Sequence, residues 1–165
     1  MSVQNLGNET TNVYADGSDL VWERTFDAPR EAVWRAHTEA ERVARWWGPR
    51  KYTTEVVELD VRPGGRWRFI NRGADGDSHP FKGEFLEVVP PEKLVWTFTY
   101  DVEPINQGDP AVETFRFEDV GGNRTKLNVR SHFPSVEALE GALGSGMIEG
   151  GIETYDRLAE ELAGG

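Results

Sequence analysis

Between Tyr52 and Phe133 apolar and polar side chains alternate with a two-residue period through six successive segments. "YTTEVVELDV", "RWRFIN", "FKGEFLEVVP", "KLVWTFTY", "AVETFRFE" and "TKLNVRSHF" read as strands. Pro63-Gly64-Gly65, Asp75-Gly76, Pro90-Pro91-Glu92-Lys93 and Gly121-Gly122-Asn123 read as turns between them. Such a run makes an antiparallel sheet with one apolar face to cover. Only one segment is long enough to cover it. From about Met147 to Leu162 the stripe Ile148, Ile152, Tyr155, Leu158 or Ala159, and Leu162 has helical spacing, and roughly 16 residues at about 1.5 Å each span about 24 Å. A curved sheet gripping a single helix need not close on it, so an internal cavity is expected between them, its ends plugged by short helices and loops.

The flanking segments fit this plan. "DLVWERTFDAP" sets Leu20, Trp22, Arg24 and Phe26 against Val21, Glu23 and Thr25, a first strand. Pro29 opens a helix as its pre-set first residue. In "REAVWRAHTEAERVARWW", Ala32, Val33 and Ala36, then Ala40, Val43, Trp46 and Trp47, recur at helical spacing. Thr38 is expected to cap the second short helix, with Glu41 completing a capping box, and Gly48-Pro49 to stop it. Val136, Leu139 and Leu143 suggest another short helix before the long one. Gly150-Gly151 inside the last stripe costs about 1 kcal/mol per glycine relative to alanine. Either the backbone approaches something closely there, or the helix begins later. Residues 1–17 read as a flexible lead-in with little to bury, and 18–163 as one domain. Residues 101–110, rich in Pro, Gly, Asp and Asn, read as a loop able to cover something.

Composition narrows the class of function. A net charge of −11, from 29 acidic against 18 basic residues, repels phosphate backbones and anionic membranes, so neither nucleic acid nor membrane is expected as a partner. The chain contains no cysteine, which excludes disulfides, thiolate metal sites and a thiol nucleophile. His37, His79 and His132 lie far apart in sequence without metal-ligand spacing. No metal or cofactor is implied. The N-terminal stretch lacks a signal-peptide pattern, which makes the cytoplasm the default compartment.

The strand phases nominate a pocket wall. Trp96 and Phe98 share a face with Leu94 and Tyr100, and Glu113 shares one with Phe115 and Phe117. Together with Trp47, Trp67, Phe69 and Phe85, and with Ile148, Ile152 and Tyr155 from the last helix, these residues are the candidate ligand-binding set. One ring of Trp46-Trp47 should dock the second helix on the sheet while the other caps the mouth. Glu113 stands in an apolar phase. Turned inward, it gains a raised pKa and acid–base capacity; if the strand starts after it, it is solvated at the rim. Arg24 reads as a snorkelling surface arginine, with holding an acidic ligand as the alternative. His132 reads as an exposed strand residue. The Tyr155 hydroxyl either donates into the cavity or simply packs.

Four stretches, "RTFDAPREAVWRAHTEAERVARWWGP", "VVELDVRPGGRWRF", "GEFLEVVPPEKLVWTFTY" and "GGNRTKLNV", resemble in order the activator-of-Hsp90-ATPase-like family. The resemblance spans roughly 18 to 162 and implies an α+β helix-grip fold of the START-like, Bet v 1-like superfamily. In that fold a curved antiparallel sheet wraps a long C-terminal helix, with two short helices after the first strand. It also implies an internal hydrophobic cavity. The superfamily includes lipid and hormone carriers, polyketide cyclases and aromatases, and co-chaperone domains, so the fold does not settle function. The first reading is therefore binding of a small hydrophobic or aromatic molecule in the cavity. The alternatives are a cyclase- or hydrolase-like enzyme using Glu113 with Tyr155 or His132, and an Hsp90 interaction module. The co-chaperone of eukaryotes carries an additional chaperone-contacting domain for which 165 residues leave no room, which weighs against an Hsp90 homologue as partner. A homodimer is left open.

Overall fold

Cross-strand pairing joins the two ends of the strand run. In the computed structural model, which describes residues 5–164, the strands are β1 (Asn12–Asp16), β2 (Asp19–Phe26), β3 (Tyr52–Leu59), β4 (Arg66–Gly73), β5 (Ser78–Val89), β6 (Lys93–Tyr100), β7 (Ala111–Gly121) and β8 (Arg124–His132). They form one antiparallel sheet in the order β1-β2-β8-β7-β6-β5-β4-β3. The connection from β2 to β3 must therefore cross from one end of the sheet to the other. Two short helices make that crossing, α1 (Arg30–Thr38) and α2 (Ala40–Trp46). After β8 come α3 (Val136–Leu143) and the long α4 (Met147–Gly164). No helix among the described residues is long and apolar enough to cross a membrane.

The register shifts at Val56/Glu58 in β3, Phe85/Glu87 in β5 and Asp119/Gly121 in β7. Each irregularity bends its strand and increases local twist, which curves the sheet. Gly83 in β5 serves the same close packing. A Cβ there would stand 2.4 Å from Trp67 Nε1, and that indole lies across the glycine to donate to the Thr97 carbonyl at 3.1 Å.

Gly151 answers the question raised by the paired glycines. The helix does not begin late; it starts at Met147, and a Cβ on Gly151 would lie 2.3 Å from Trp22 Cη2. The α4 backbone rests directly on the Trp22 indole. One helical turn on, Asp156 accepts from Arg24 Nη1 at 2.7 Å. The Arg24 side chain is only 11% exposed and lies over the Phe26 ring, so it is an inward tether for the helix and not the snorkelling surface arginine its type suggests. At the other side of α4, Arg157 donates to the carbonyls of Arg45 and Gly48, closing the C-terminal end of α2 with a cation.

Three further expectations need correction. Thr38 does not cap α2: its hydroxyl turns back to the Trp34 carbonyl in α1, and Glu39 occupies the cap position without a side-chain bond. The lead-in assigned to residues 1–17 contains β1, which pairs with β2 and buries Val13 completely. With Val13 its one buried residue, the segment carries too little periodicity to signal an edge strand. Residues 1–4 of that segment lie outside the described residues. The loop at 101–110 does not cover the cavity. Asp101 accepts from Arg68 at 2.8 Å, and Arg68 points to the outer face because its neighbours Trp67 and Phe69 are both buried.

Gly151→Ala is expected to destabilise the protein by about 1–3 kcal/mol, because a methyl there would overlap the Trp22 indole and force it from its packed position, a cost that outweighs the helix-propensity gain of about 1 kcal/mol. Gly141→Ala in α3, where a Cβ meets nothing within 4 Å, should instead stabilise by up to about 1 kcal/mol. Urea denaturation of the two variants checks the opposite signs.

Candidate functional site

Holding α4 at the height of Trp22 leaves a cavity of about 910 Å³ between the inner sheet face, the first half of α4 and the end of α2. The sheet side is aromatic: Phe69, Phe81, Trp96, Phe98 and Phe115 border it. Trp46, Trp47 and Tyr155 border it from the helical side. Arg50, Lys51, Glu149 and Glu153 stand at the edge, where the cavity meets solvent.

The two adjacent tryptophans have separate jobs. Trp46 donates through Nε1 to the Ala36 carbonyl at 2.8 Å and stacks on Tyr155, so it docks α2 on α1 and α4. Trp47, the last residue before the Gly48-Pro49 stop, rests on the sheet, edge-on to Phe69 at 5.0 Å and Phe81 at 5.2 Å. Both border the cavity.

Polar groups are few. Glu113 lies inside β7, opposite Ser131 of β8 and Trp96 of β6. Its carboxylate accepts from Trp96 Nε1 at 2.8 Å and from the Ser131 hydroxyl at 2.5 Å. Burial pushes its pKa above the ordinary value, against those two hydrogen bonds. The strand therefore does not start after Glu113, and the rim position is ruled out. Tyr155 is also pushed up, by burial and then by the nearby Glu113 charge. Its hydroxyl has no hydrogen-bond partner among the described residues. His37 Nδ1 meets the Val33 carbonyl at 2.8 Å and so carries the proton; Nε2 is a buried acceptor with no partner among the described residues. Burial lowers this imidazole to about 4, leaving it neutral.

Of the residues nominated from the sequence, Trp47, Phe69, Trp96, Phe98, Glu113, Phe115 and Tyr155 border the same cavity. Four do not. Trp67 lies behind the wall, stacked on Trp96 at 4.0 Å, and Phe85 is fully buried beside the same indole. Ile148 and Ile152 pack against the core while Met147, Gly150, Gly151 and Thr154 face the cavity, one step round the helix. Hydrophobic periodicity finds the core stripe and cannot see a face made of glycine and threonine. Trp22 and His37 were missed as cavity residues; the strand phase shared by Trp22 and Phe26 was the available signal for the first. His132 is 62% exposed and pairs with Asp19. It follows Ser131, which faces Glu113, so strand alternation puts it on the opposite face and a Glu113–His132 pair is excluded.

A second polar network lies beside the mouth. Asp77 accepts from Tyr52 and His79, both at 3.0 Å, and His79 Nδ1 meets the Tyr100 hydroxyl at 2.6 Å. A hydrogen bond with Asp75 first, and then those from His79 and Tyr52, lower Asp77 to about 2. No cluster of three or more potential metal ligands occurs among the described residues.

Comparison with known proteins gives a consistent picture. A family model described as "Activator of Hsp90 ATPase homolog 1-like protein" matches residues 27–163. No curated protein matches the chain. Among solved structures, protein Ms6760 from Mycobacterium smegmatis is similar at 25% identity and a TM-score of 0.83, covering 92% of this chain and 96% of its own. A protein from Arthrobacter aurescens is similar at 23% identity with a TM-score of 0.86, covering 93% of this chain and 92% of its own. The AHSA1 protein from Silicibacter pomeroyi is similar at 23% identity with a TM-score of 0.72, covering 88% of this chain and 97% of its own. These likenesses establish the helix-grip fold.

The raised Glu113 sets a pH dependence. Folding strengthens its hold on a proton, so its contribution to stability is full below the ordinary carboxylate value of 4.5 and is lost as pH rises through the elevated native value. Relative to Glu113→Gln, which stays neutral, the unaltered protein should lose stability as pH rises above the ordinary value through the raised one. Urea melts of both proteins across the range check this. A difference that does not change with pH would mean that Glu113 is not held in a desolvated site.

Proposed function

We propose, for a chain that belongs to the activator of Hsp90 ATPase homolog 1-like family, that the space under α4 takes up a small hydrophobic or aromatic molecule. The observation that carries this reading is the combination of volume and lining. At about 910 Å³ the cavity falls in the range of roughly 300–1,000 Å³ typical of small-molecule sites. Aromatic rings are prominent in its wall and polar side chains stand among them, which is the usual division between affinity and orientation.

The construction of the wall supports the same reading. Trp67 and Phe85 behind Trp96 hold its indole in place, and Glu113 fixes the ring edge through Nε1. A wall whose rings are immobilised in advance loses little side-chain entropy when a guest arrives. Uptake needs a route, and the exposed edge between α4 and the segment following α2 provides one.

A neutral apolar dye, N-phenyl-1-naphthylamine, should bind with a blue-shifted, enhanced emission. Thr154→Trp, which places an indole in the cavity from a helix position whose hydroxyl bonds only within α4, should weaken that binding by at least about tenfold, a loss of about 1.4 kcal/mol. Circular dichroism should show the fold retained. Equal dye binding by both proteins, or none by the unaltered one, rejects uptake at this place.

A further inference from the structure

The charge arrangement within the cavity is one-sided. Glu113 is a buried carboxylate whose two oxygens are engaged by a ring N–H that can only donate and by a hydroxyl at 2.5 Å. The indole holds one carboxyl oxygen as an acceptor, and the Ser131 hydroxyl is able to donate to the other. Yet none of the ion pairs among the described residues includes Glu113. Of the two cations that border the cavity, Arg50 pairs with Glu160 and Lys51 stands exposed at the edge; Arg24 pairs with Asp156, and Arg157 is held by the backbone carbonyls of Arg45 and Gly48. A buried charge that lacks its counter-ion is costly, and the burial-driven rise of Glu113 expresses that cost.

A further polar group points the same way. His37 Nε2 offers a buried lone pair that has no partner among the described residues. Around it stand the rings of Trp46, Trp96 and Phe115, a side-chain type that attracts cations through its quadrupole. At the edge, Glu149 and Glu153 face Arg50 and Lys51, so with Glu113 the cavity residues carry three carboxylates against two cations. The net charge of −11 adds a field that draws cations and repels acids. We infer that the molecule taken up here is an amine: a cationic nitrogen on an aromatic or similarly apolar body, received by the Glu113 carboxylate within the ring wall. This rests on the uptake reading above and names its ligand class. The competing class, an apolar acid, would meet Glu113 at the bottom of the cavity and find only Lys51 unpaired at the edge among the described residues.

Three probes sharing one ring system separate the possibilities: tryptamine, 3-methylindole and indole-3-acetate, each titrated by calorimetry into the full chain at neutral pH. Tryptamine should bind at least about tenfold more tightly than 3-methylindole, the scale of a desolvated cation–π contact, and indole-3-acetate should bind most weakly. In Glu113→Gln the gap between tryptamine and 3-methylindole should close. The order of the three probes on the unaltered protein decides the matter even if that variant fails to fold. Binding of 3-methylindole equal to or tighter than tryptamine overturns the amine assignment and leaves uptake standing. Tightest binding by indole-3-acetate does the same and points to the acid class. A preference for tryptamine that survives in folded Glu113→Gln removes Glu113 as the receiving group. Failure of all three probes to bind overturns both readings.

Discussion

The contact between the α4 backbone at Gly151 and the Trp22 indole is the constraint on which the rest of the structure depends. It sets the height of the helix above one end of the sheet, and Arg24–Asp156 fixes its rotation there. Because the sheet curves and the helix is straight, close contact at Trp22 leaves a widening gap toward Trp96 and Phe98. The cavity is thus the geometric remainder of one tight contact and one bent surface. Large rings border it on the sheet side, while Gly150, Gly151 and Thr154 of α4 leave room opposite them.

Large rings surround an opening without collapsing into it because each is held from behind. Trp67 stacks flat on Trp96, and Trp67 is itself laid over Gly83 with its N–H on the Thr97 carbonyl. Trp47 is buttressed edge-on by Phe69 and Phe81. Trp46 is pinned by the Ala36 carbonyl. A ring with one face packed and its polar edge satisfied gains nothing by swinging into the open space. The same pinning makes α2 structural: it closes the cavity at the β3 end of the sheet, and Arg157 locks its C-terminal end to α4.

The carboxyl group on the sheet side of the cavity is that of Glu113 in β7. Glu113 and Ser131 face each other across one ladder, and Trp96 reaches Glu113 from the next strand, so three neighbouring strands converge on one carboxylate. Its environment combines an apolar surround, which disfavours charge, with two donors, which favour it. The balance lies toward an elevated pKa, the condition under which an arriving group of opposite charge has the largest effect. His37 is kept neutral by the same surround. The chemistry of the site therefore follows from desolvation more than from any local motif.

Strand periodicity alone determined the sheet, and the spacing of Ile148, Ile152, Tyr155 and Leu162 determined the covering helix, because both patterns report which side of an element must leave water. Much of the sheet-side wall was legible for the same reason, since Phe69, Trp96, Phe98 and Phe115 alternate in phase. The edge strand at Asn12–Asp16 was not, having Val13 as its one buried apolar residue. Nor was the cavity face of α4, where Gly150, Gly151 and Thr154 carry no hydrophobic signal. Tertiary structure decided which rings border open space and which, like Trp67 and Phe85, stand behind them; it turned Arg24 inward, His132 outward and Glu113 toward the cavity. Alternation assigns a side chain to a face, but only the distance between two packed elements decides whether that face meets a neighbour or a void.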